Sequence, residues 1–63
     1  MMQNNLTQPV RQKIFLALVT AQDQEVSVED SRRLIAHRFD ITEEEVRKIE
    51  REGIENNWPP LES

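Results

Sequence analysis

The sequence predicts an all-α fold, a small three-helix bundle containing a helix-turn-helix. Three observations lead there. Apolar residues recur at helical spacing in three separate segments. Each segment is preceded by residues that start helices. The stretch from Arg32 to Arg51 also carries a suitable residue at every position a helix-turn-helix needs.

The first helix is expected from about Gln8 to Gln22. Thr7 is placed to cap it, and Pro9 fits a first turn, where a missing N–H costs nothing. Val10, Ile14, Ala17, Leu18 and Ala21 share one face, with Phe15 beside it. Leu16 and Val19 point elsewhere and are expected to be exposed. The apolar run from Ile14 to Val19 also suits a buried strand, but Ala and Leu dominate and the helical pattern continues on both sides. The second helix is expected from Ser27 to Phe39, with Glu29 and Asp30 in its first turn, where the helix dipole favours acids. Its stripe is Val28, Ser31, Ile35 and Phe39, with Leu34 alongside.

The third helix is expected from Glu43 to Ile54. Thr42 and Glu45 form the two ends of a capping box. Val46, Ile49 and Gly53 face inward, with Ile54 next to them. Gly53 is either a C-cap or a point where backbone must approach its neighbour closely. Pro59 and Pro60 end any helix. Met1 to Leu6 read as a loose leader, residues 7–58 as the domain and residues 59–63 as a short tail.

The chain has 63 residues and no cysteine, so one domain is expected, without disulfide or thiolate–metal support. A domain this short buries only about 60% of its unfolded surface, which favours a partner or very good packing. Asp and Glu number 12 against 8 Lys and Arg, a net charge of −4. Nucleic-acid binders usually carry a basic excess, although a basic face can sit on an acidic body. No apolar run is long enough to span a bilayer and no targeting segment is visible, so a cytoplasmic location without membrane association is expected.

Within Arg32 to Arg51, Ala36 is the small residue where two helices cross. Ile35 and Phe39 face inward, Asp40 turns the chain, Ile41 is the apolar residue after the turn, and Val46 and Ile49 complete the contact. Six of the eight basic residues fall in this unit: Arg32, Arg33, Arg38, Arg47, Lys48 and Arg51. Such clustering favours an anionic partner; the simpler alternative is charge interspersed for solubility. Glu43 precedes Arg47 by four residues and Glu44 precedes Lys48 by four, the favourable order for ion pairs within a helix. His37 stands opposite Ile35 and is expected on the surface, with no second histidine or cysteine to complete a metal site.

The run Phe39-Asp40-Ile41-Thr42-Glu43-Glu44-Glu45-Val46-Arg47-Lys48-Ile49-Glu50 resembles region 4 of the sigma-70 family of bacterial RNA polymerase sigma factors. The likeness runs without a gap from Ser31 to about Ile54. It implies a recognition helix in the major groove of a promoter −35 element. Glu44 then falls where the family accepts a hydrogen bond from cytosine, Arg47 near the DNA backbone, and Lys48 at the base edges. Glu43 and Glu45 stand where the family has arginines, and each reverses a charge close to phosphate.

The residues expected to touch nucleic acid are therefore Arg32, Arg33, Thr42, Glu44, Arg47, Lys48 and Arg51. Those expected to touch a protein are Leu16, Val19 and Trp58, the last either an exposed anchor or a cover for the small core. No catalytic set, metal site or cofactor is expected. The candidate partners are duplex DNA, RNA polymerase or another protein, and a second copy of the chain. Two function classes remain: a small bacterial nucleic-acid-binding or transcription-associated protein, or a protein-interaction module that keeps the fold without binding DNA.

Overall fold

A computed structural model describes residues 6–61. It contains three helices, α1 (Gln8–Asp23), α2 (Val28–Phe39) and α3 (Glu43–Asn56), and each packs on the other two. This is the all-α three-helix bundle the sequence predicts. No strand occurs among the described residues, so Ile14 to Val19 is helical. Expectations for Met1 to Asn5, Glu62 and Ser63 lie outside the described residues.

Local chemistry sets the helix ends. Pro9 occupies the first turn of α1, but Thr7 makes no side-chain cap bond. Ser27 does cap α2, its hydroxyl accepting from the Asp30 N–H at 3.1 Å, and Thr42 caps α3 by accepting from the Glu45 N–H at 3.0 Å. The return bond of the expected capping box, from the Thr42 N–H to the Glu45 carboxylate, does not form. α2 carries acids in its first turn and His37 and Arg38 in its last, matching the helix dipole at both ends.

Asp40 ends α2 in the left-handed conformation (φ 58°), and the Ile41 N–H returns to the Ala36 carbonyl at 2.9 Å. Asp40, Ile41 and Thr42 thus form a three-residue turn between α2 and α3, the connection of a helix-turn-helix. Asn57 repeats the device after α3, with the Trp58 N–H donating to the Gly53 carbonyl at 2.9 Å. That second reversal swings Trp58 back over the bundle.

The core comprises Ile14, Phe15 and Leu18 from α1, Ile35 and Ala36 from α2, Val46 and Ile49 from α3, and Trp58. Ser31 is fully buried where α1 meets α2 and is satisfied on both sides. Its hydroxyl donates to the Val28 carbonyl at 2.7 Å and accepts from Gln22 Nε2 at 3.1 Å. Two close ion pairs tie the helices together, with a longer Arg33–Glu43 contact at 3.9 Å beside them: Arg11 holds Glu52 through Nε and Nη2 at 2.8 and 3.0 Å, and Arg32 reaches Glu50 at 2.9 Å.

Several inward assignments need correction. Phe15 is central rather than flanking, because α3 and Trp58 cover that side of α1. Val19 lies one turn further on and is half-buried against the core instead of exposed. Val10, Val28 and Ile54 are exposed rather than inward; Ile54 follows Gly53, which faces Phe15, and is turned out of that contact. Leu6, assigned to a loose leader, packs against the core, and its carbonyl accepts from Arg11 Nη1 at 2.6 Å.

Candidate nucleic-acid and protein interfaces

The residues expected to touch nucleic acid separate into two groups. Glu44, Arg47, Lys48 and Arg51 are exposed on α3 and line one shallow depression of about 290 Å³. Their spacing explains the grouping: three and four residues along a helix return to the same face. Three cations therefore stand around one carboxylate. None of the three forms an ion pair among the described residues, and the expected Glu43–Arg47 and Glu44–Lys48 pairs do not form.

The second group is already engaged within the fold. Arg32 is held by Glu50 and is only about a quarter exposed. Arg33 bonds Asp30 at 3.0 Å and lies 3.9 Å from Glu43. The Thr42 hydroxyl is committed to its cap. Arg32 still borders a second depression of about 430 Å³, shared with Arg47, Glu50, Arg51, Ile54 and Glu55. The basic strip thus continues from α3 toward α2, with Arg32 partly neutralised at its edge.

Of the three residues expected to touch a protein, only Leu16 is well exposed, at 47%. Trp58 is 6% exposed, with its ring 6.1 Å from Phe15 in an edge-to-face arrangement. Of its two readings, the core cover holds and the exposed anchor is corrected. The reason is the Asn57 reversal together with the space above Phe15. Sequence reasoning missed the partner of Leu16. Leu34 of α2 is 49% exposed, and both line an apolar groove between α1 and α2. Leu34 was placed only beside its stripe. The signal was its position one residue before Ile35, on the flank turned toward α1.

His37 is exposed, as expected, and no cluster of metal-binding side chains occurs among the described residues. No described helix is long and apolar enough to cross a membrane. Compared with known protein families, curated proteins and solved structures, the chain matches none of them.

Proposed function

We propose that this chain is a small helix-turn-helix protein that lays the outer face of α3 against duplex DNA, in a transcription-associated role like that of the sigma region it resembles. The observation that carries this reading is the group Arg47, Lys48 and Arg51, exposed together and without an ion pair among the described residues. Cations without intramolecular partners keep their full attraction for phosphate, whereas Arg32 and Arg33 give part of theirs to Glu50, Asp30 and Glu43.

Glu44 sits among the three cations, as a base-reading carboxylate flanked by phosphate contacts does. A cytosine amino group is the donor it would accept from. The acidic body works against binding, since a net charge of −4 repels the duplex at long range. Affinity is therefore modest and confined to low salt, with specificity resting on Glu44 and Lys48.

The test is a titration against duplex DNA across salt concentrations. Two phosphate contacts, from Arg47 and Arg51, give a log–log slope of about −1.8, and Lys48 brings it to about −2.7 if it meets phosphate instead of a base edge. Arg47→Ala, Lys48→Ala and Arg51→Ala each reduce its magnitude by about one if that side chain meets phosphate. Binding with no salt dependence, or none at low salt, refutes the reading.

A further inference from the structure

The groove between α1 and α2 shares no residue with the basic face of α3. Leu16 and Leu34 face into it, half-exposed, with Ala17 and Phe39 below them. Its volume is about 490 Å³. Lys13 and Arg38 stand in its walls, and neither forms an ion pair among the described residues. No acidic side chain lines it, although acids outnumber bases in the chain as a whole.

We infer that this groove docks an amphipathic helix of another protein, one that carries acidic residues beside its apolar stripe. The dimensions suit a helix. Lys13 to Gln24 mark the α1 wall, and eleven residues of rise make it about 16 Å long, or three turns of a guest. Guest side chains at helical spacing of three, four and seven residues fill the space between Leu16 and Leu34. Guest carboxylates flanking that stripe meet Lys13 and Arg38.

The same charges argue against a second copy as occupant. A two-fold contact sets a surface against itself. Here it brings Lys13 and Arg38 toward their own counterparts, with no carboxylate in the patch to offset them. The inference does not rest on DNA binding by α3, because the two surfaces are separate.

The test uses the full chain, labelled with ¹⁵N, and two synthetic three-turn amphipathic peptides. Both carry leucines on one face; one is flanked by glutamates and the other by lysines. The expected result is that the glutamate peptide shifts the amide signals of Leu16, Leu34 and Arg38, and binds at least roughly tenfold tighter than the lysine peptide. In Lys13→Glu/Arg38→Glu, both exposed positions, the preference reverses. In Leu16→Ser/Leu34→Ser, which keeps the charges, binding by either peptide is lost while the circular dichroism of the fold is retained. Equal binding of both peptides, or no shift in the groove at millimolar peptide, overturns the proposal. So does concentration-dependent dimerisation in sedimentation that Leu16→Ser/Leu34→Ser abolishes, since the occupant is then a second copy.

Discussion

Gly53 lies directly against the ring of Phe15: a Cβ at this position would stand 2.5 Å from Cε1 and 2.7 Å from Cγ. Gly53 is neither a helix end nor a flexible point. It is the place where α3 comes close enough to α1 for a ring to rest on bare backbone. Phe15 is itself buried and meets Trp58 edge-on, so it has little room to withdraw.

Gly53→Ala separates two opposing effects. Alanine favours a helix interior by about 1 kcal/mol over glycine. Overpacking against a fixed ring costs about 1–3 kcal/mol. The expected outcome is a net loss of stability in urea unfolding, despite the better helix former. In a Phe15→Leu background the same substitution is less harmful, and the double-mutant cycle measures that difference.

Trp58→Ala removes a buried aromatic from a core of only eight side chains. Such truncations cost about 3–5 kcal/mol. A domain of this size has a total stability of about 3–9 kcal/mol. The loss takes at least about a third of that total, so a strongly lowered thermal transition is expected. A tryptophan waiting for a partner would leave stability unchanged.

The three helix starts predict different sensitivities. Ser27→Ala and Thr42→Ala each lose a cap hydrogen bond and cost about 1 kcal/mol. Thr7→Ala loses none and shifts the unfolding midpoint very little. Equal effects at all three positions would contradict the assigned caps.

Arg11→Ala breaks both bonds to Glu52 and the bond to the Leu6 carbonyl. The pair is partly exposed, so the expected cost is about 1 kcal/mol, at the upper end for surface ion pairs because the contact is two-pronged. Arg11→Lys keeps the charge but not the fork, and recovers only part of the loss in urea unfolding.

Much of this architecture was legible because its causes are local. Ser27 and Thr42 announce helix starts by their chemistry, and Ile14, Leu18, Ile35, Val46 and Ile49 face inward by periodicity alone. Asp40 was read as a turn from its place between two apolar stripes. What periodicity does not contain is how far a helix is covered. Phe15 is buried by α3 and the returning tail and Val19 is half-buried against the core, while Val10, Val28 and Ile54 stay exposed. The pairs Arg11–Glu52 and Arg32–Glu50 join residues 41 and 18 positions apart, so no local pattern marks them. The basic set on the helix-turn-helix therefore looked uniform in the sequence, while the structure engages Arg32 and Arg33 and leaves Arg47, Lys48 and Arg51 without an ion pair among the described residues.

The acids of α3 test the direction of the electrostatics. Glu43→Arg with Glu45→Arg removes two negative charges from the start of α3 and adds two positive ones. It also releases Arg33 from Glu43. Tighter DNA binding and a steeper salt slope are expected in the same titration against duplex DNA across salt concentrations. Unchanged affinity would show that α3 does not approach the duplex.

The most direct test of the central claim is a ¹H–¹⁵N correlation spectrum of the chain, recorded at low salt while a short DNA duplex is added. The account predicts progressive shifts in Glu44, Arg47, Lys48 and Arg51 on α3, with the α1–α2 groove around Leu16 and Leu34 unaffected. Shifts confined to the groove, or a spectrum unchanged by saturating duplex, would contradict it.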